Sequence, residues 1–174
     1  MKLAVDIAGT VISLTNGRLL TVEHDRVANY LETESVHGAW DCVNWLARRL
    51  GNNFVLVAGI PHLKVGAHIR VKKWLKHHGM IRPDNADKHA RHYDFSEKSL
   101  HFLLNNERDE TDMCKRLGIT HFVANRACAL PLSGVKYLYL LNPLPNEELA
   151  AKRRCGDQVQ IIKRWQDIFD VLGI

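Results

Sequence analysis

Short apolar runs alternate with longer amphipathic stretches along the whole chain. Lys2 to Val5 reads as a short buried strand ending at Asp6, because an unbroken apolar run suits a strand covered on both faces. Val11 to Val22 alternates loosely around Asn16-Gly17, a pair suited to the positive φ angles of a tight turn, so a small β-hairpin is expected after the first strand. His24 to Glu34 has no clear period. From Val36 the apolar residues Val36, Trp40, Val43, Leu46, Ala47 and Leu50 recur at spacings of three and four, and Gly51 closes the pattern, which predicts an amphipathic helix.

The alternation continues. Phe54 to Val57 is a second continuous apolar run, followed by Ala58-Gly59 and by Pro61, which suits the first turn of a helix ending near Gly79. Met80 to Ser99 is rich in charge and histidine and reads as a loop or small insertion, with weak strand character at His92 to Phe95. Strands are expected at Leu100–Leu104, Ile119–Val123, Val135–Leu141 and, as an edge, Val159–Ile162; helices at Asp109–Leu117, Glu147–Arg153 and Trp165–Leu172. Such a sequence predicts an α/β fold, a Rossmann-like parallel sheet covered by helices on both faces, with ligands at the carboxyl ends of the strands. No linker or repeat divides residues 1–174, which are expected to form one domain.

Composition adds limits. At 174 residues and 46% hydrophobic the chain can bury a substantial core without staples. Cys42, Cys114, Cys128 and Cys155 show no C-x-x-C spacing, so reduced thiols are expected, with neither a disulfide framework nor a zinc site. No apolar run reaches membrane-spanning length, and Asp6 interrupts the first too early for a signal peptide, so a cytoplasmic protein is expected. The net charge of +5 is concentrated between Lys64 and Arg91, where eight Lys and Arg face two Asp. Lys64, Arg70, Lys72, Lys73 and Lys76 of this stretch could form a footprint for nucleic acid or another polyanion, or equally the solvated face of a helix.

Histidine, tryptophan and cysteine alter this picture little. His62 and His68 are six apart, which does not set two ligands on one helix face, and His89 to His92 beside Lys88 reads as a charged loop. Trp40, Trp74 and Trp165 suit core spacing, whereas Trp45 lies off the main stripe and is the one expected to stand exposed. Cys128 follows the fourth strand, but the sequence sets no histidine base beside it.

The strand tips carry the candidate chemistry. Asp6-Ile7-Ala8-Gly9-Thr10 ends the first strand, Ala58-Gly59 the second, and Ala124-Asn125-Arg126 the fourth, within "GITHFVANRACAL". In these places the chain resembles the haloacid dehalogenase superfamily, chiefly its phosphatases and nucleotidases, over nearly its full length. That family's first strand ends in D-x-D-G-T and is followed by a hairpin flap. Its second strand ends in Ser or Thr, a helix before the fourth strand supplies a Lys, and the fourth strand ends in an acidic pair. The resemblance implies such a fold with a hairpin flap and little or no cap domain. It makes Asp6 the position of a nucleophile that forms an aspartyl-phosphate, and Ala8 a lost acid/base. Ala58 or Gly59 stands for the lost phosphate-binding hydroxyl. The lysine register falls near Glu110-Thr111, with Lys115 one turn later as a displaced substitute and Arg126 a further phosphate-holding candidate. Among the Mg²⁺ positions, Asp6 is kept, Asn125 is weak, and Ala124 is a lost ligand.

Acid–base help is typically worth about 10²–10⁴ in rate, and the joint loss of metal and phosphate ligands removes several kcal/mol more of electrostatic stabilisation. The expectation is therefore a catalytically degenerate, phosphatase-like protein, a pseudoenzyme without cofactor, serving as a binding, regulatory or assembly component. Such a role implies a protein partner and allows an oligomer. The alternative is a Mg²⁺-dependent phosphohydrolase using Asp6, with Lys115 or Arg126 on the phosphate. A further alternative is a nucleic-acid-associated module using the basic segment.

Overall fold

A computed structural model describes residues 1–14, 30–58, 67–81, 97–103 and 110–174. Its strands are β1 (Leu3–Asp6), β2 (Phe54–Ala58), β3 (Leu100–Phe102), β4 (His121–Ala124), β5 (Tyr137–Leu141) and β6 (Val159–Ile162). They form one sheet in the order β3-β2-β1-β4-β5-β6, parallel throughout. The order reverses between β1 and β4, and in parallel α/β sheets the crevice at such a reversal is where ligands gather. Asp6 is the last residue of β1, on one side of that crevice.

Strand periodicity explains how the sheet is covered. Side chains alternate between faces along a strand, so Leu3 and Val5 enter one apolar cluster and Ala4 the other. The first cluster is completed by Val43 and Leu46 of helix α1 (Ala39–Leu50), by Val71, Trp74 and Leu75 of α2 (Ala67–His77), and by Ile168 of α5 (Asp167–Leu172). The second receives Met113 and Cys114 of α3 (Glu110–Leu117) and Ala151 of α4 (Pro145–Cys155). Helices thus cover both faces, as the near-continuous apolar strands require.

Several boundaries move for local reasons. Helix α1 begins at Ala39, because Gly38 has φ +75° and Val36 is already engaged, its N–H donating to the Val11 carbonyl at 2.9 Å. Helix α4 starts two residues earlier than expected, with Pro145 in its first turn, where a missing N–H costs nothing. Its first turn holds Glu147 and Glu148 and its last Lys152, Arg153 and Arg154, an arrangement that opposes the helix dipole. Strand β6 spans the expected residues and is an edge. The hairpin around Asn16-Gly17, the strand at His92 to Phe95, Pro61, Lys64 and Gly59 all lie outside the described residues.

Tryptophans tie the loops to this frame. The Trp74 indole N–H donates to the Thr33 carbonyl at 2.8 Å, and that of Trp165 to the Thr10 carbonyl at 2.9 Å, joining the last turn of the chain to the first. Trp45 is 41% exposed and packs edge-on against Phe169 with ring centres 4.7 Å apart. All four cysteines are free; Cys42 and Cys114 are buried, and Cys128 is exposed. Among the described residues no helix is long and apolar enough to cross a membrane.

Candidate functional site

Asp6 leaves β1 into a tight turn. The N–H groups of Val11 and Ile12 both donate to the Ile7 carbonyl at 3.0 Å, and that of Gly9 to the Ile12 carbonyl at 2.9 Å. Gly9 is required here twice over. Its φ is +73°, and a Cβ at this position would stand 2.8 Å from Asn125 Oδ1 and 2.9 Å from Leu14 Cδ1. Gly9→Ala is expected to lower stability by about 2 kcal/mol, read as a melting temperature lower by roughly 4–8 °C. An unchanged melting temperature would contradict this tight approach of the turn to Asn125.

The turn seals the Asp6 carboxyl. Asp6 is 1% exposed, and its Oδ2 is buried without a hydrogen-bond partner among the described residues. Burial pushes its pKa up to about 7, against the nearby Arg126 guanidinium, which lowers it; the negative charge of Glu110 raises it further, and the N–H groups of Ile7 and Ala8 lower it slightly. Arg126 is half-buried and its Nε is likewise without a hydrogen-bond partner among the described residues. The site is therefore two carboxyl groups and one guanidinium, largely shut away from water.

The other positions singled out in the sequence fall into two groups. Asn125 and Arg126 lie with Asp6 at the sheet reversal, and Ala124 does too, since the β1–β4 pairing Val5 with Val123 brings Asp6 beside Ala124 one step on. Ala124 is fully buried in the apolar cluster on the α3 face, while Ala8 and Ala58 are buried in the cluster on the other. Three places where the resemblance implies polar groups thus hold methyls that fill core. Lys115 is not brought to Asp6. It is exposed near the carboxyl end of α3, its stem lying against Gly134 in the loop that enters β5, at the opposite ends of the strands. Glu110, at the amino end of the same helix and 7% exposed, is the α3 residue whose charge reaches Asp6. Its place at the expected lysine register was legible in the sequence; that an acid would face another acid was not.

Asn125 is used structurally. Its amide nitrogen donates to the carbonyls of Leu141 at 2.8 Å and Asn142 at 3.2 Å, clamping the end of β4 to that of β5, with its Oδ1 directed at Gly9. Beyond it, the Glu147 carboxylate accepts the Ala127 N–H at 2.7 Å, and the Thr111 hydroxyl accepts that of Leu132 at 2.7 Å. A Mg²⁺ ion here would meet the carboxyl groups of Asp6 and Glu110 and the amide oxygen of Asn125, but also the Arg126 guanidinium, whose positive charge already acts on Asp6 and opposes a divalent cation.

On the basic segment, Lys73 is exposed, while Arg70, Lys72 and Lys76 are half-buried and each already holds an interaction. Compared with protein-family models, with curated proteins and with solved structures, the chain matches none.

Proposed function

We propose that this chain has the frame of a haloacid dehalogenase-type phosphatase from which the chemistry has been lost, and that it works as a binding, regulatory or assembly protein. The observation that carries this reading is the state of Asp6. A carboxylate that attacks phosphorus must be ionised and reachable in line; Asp6 is sealed, its pKa is raised to about 7, and it faces Glu110 where the family would present a lysine. Apolar filling at Ala8, Ala58 and Ala124 supports the same reading, since those residues now serve packing. Leu132, Leu144 and Leu149, each more than half exposed, are contact residues a partner could cover.

Arg126 favours the alternative, a residual phosphohydrolase, because its charge helps Asp6 ionise. Turnover of p-nitrophenyl phosphate and of nucleoside monophosphates, with and without millimolar Mg²⁺, decides between the two. The expected result is no activity above a blank, unchanged in Asp6→Asn. Mg²⁺-dependent hydrolysis by the purified protein that vanishes in Asp6→Asn would refute the degenerate reading.

A further inference from the structure

We propose that a cleft at the carboxyl ends of β5 and β6, separate from Asp6, binds a small organic phosphate. The cleft has a volume of about 380 Å³, within the size range of small-molecule sites. Its apolar walls are Val36, Leu141 and Trp165. Its polar lining comprises His37, Lys163, Arg164 and the amides of Asn142 and Gln166, with no carboxylate among the lining residues. Arg164 is paired with Asp167 at 2.8 Å, so most of its charge is matched, and Lys163 supplies the excess, with the ring nitrogens of His37 as further hydrogen-bonding groups.

The two sites lie on different faces of the sheet. Leu141 and Trp165 belong to the core under α1, whereas Asp6 interacts with Glu110 of α3. The cleft is also firmly built. Asn142 sits in the left-handed region at φ 42°, its N–H donating to the Ile162 carbonyl at 2.7 Å, while Asn125 holds the carbonyls of Leu141 and Asn142 from behind. On the opposite wall Trp165 is fixed by its bond to Thr10. A cationic group above apolar walls selects an anion that carries an apolar body, and a phosphate dianion, with more charge and more acceptor oxygens, gains more from Lys163 and the donors around it than a single carboxylate does.

The test is calorimetric titration of the full chain at low ionic strength with phenyl phosphate, inorganic phosphate and benzoate. Phenyl phosphate should bind saturably, and at least about threefold more tightly than either of the others. Lys163→Glu should weaken it by about tenfold or more, and Lys163→Arg by less than about threefold. Lys163 is exposed, so both variants should keep the parent melting temperature. Three results would each overturn the proposal: no heat of binding up to about 10 mM, an affinity indifferent to Lys163→Glu, or benzoate binding as well as phenyl phosphate. Binding that survives Lys163→Glu but is lost in Arg126→Met would put the anion beside Asp6, against the cleft and in favour of the residual-enzyme reading.

Discussion

Replacing Ala124 by aspartate should destabilise the protein by about 3–5 kcal/mol near neutral pH, the range for leaving a buried charge without compensation. For a chain of this size that is a melting temperature lower by roughly 6–20 °C. Ala124 is fully buried among apolar side chains and lies beside Asp6 across the β1–β4 pair, with the charge of Glu110 also reaching Asp6. A third carboxyl group would have to ionise against its neighbours or stay protonated at a cost that rises with pH. Ala124→Asn, similar in size and uncharged, should lose only about 1–3 kcal/mol, so the difference between the two variants isolates the charge. Thermal unfolding at pH 5 and pH 8 makes the comparison, and the aspartate variant should suffer more at the higher pH. If the aspartate is tolerated at both, or if millimolar Mg²⁺ restores its stability by binding the folded form, the site has kept a metal geometry and the degenerate reading fails.

The frame was legible because it is written in local patterns. Continuous apolar runs at Leu3–Val5 and Phe54–Val57 can be satisfied only with both faces covered, and the helices between the strands carry a stripe for one face each. Boundaries were harder to place where a backbone event overrides the stripe, as Gly38 does by turning left-handed after an apolar Val36 that fits the helical spacing. The site was legible as far as its strand tips: Asp6, Ala124, Asn125 and Arg126 sit together because the parallel β1–β4 pairing aligns them. Lys115 misled because spacing along a helix does not say which end faces the sheet reversal; one turn moved it to the far end, against Gly134. The cleft at β5 and β6 was invisible, since Val36, Asn142 and Lys163 are distant in sequence and none carries a motif.

The buried carboxyl should itself set a pH dependence, with Asp6→Asn revealing it. In the folded chain Asp6 holds its proton up to about pH 7, while in the unfolded chain it releases it near the ordinary carboxylate value of 3.8. Between those values the folded state binds more protons than the unfolded one, so the contribution of this group to stability falls as pH rises. Below the unfolded pKa there is no penalty, and above about pH 7 the penalty is complete, at most about 4 kcal/mol from the linkage relation. Asparagine cannot ionise, so Asp6→Asn should stabilise the protein by about 2–4 kcal/mol at pH 8.5, with the gain shrinking steadily toward pH 4. The amide would keep an oxygen for the Ile7 and Ala8 N–H groups, and its nitrogen would occupy the place of an Oδ2 that already lacks a partner among the described residues, which holds the cost of the exchange low. Denaturant midpoints of parent and variant at half-unit steps from pH 4.5 to 8.5 give the curve. A variant equally or less stable than the parent at pH 8.5 would mean that Arg126 holds Asp6 ionised in the folded state; Asp6 would then be a working carboxylate, and the case for a surviving nucleophile would reopen.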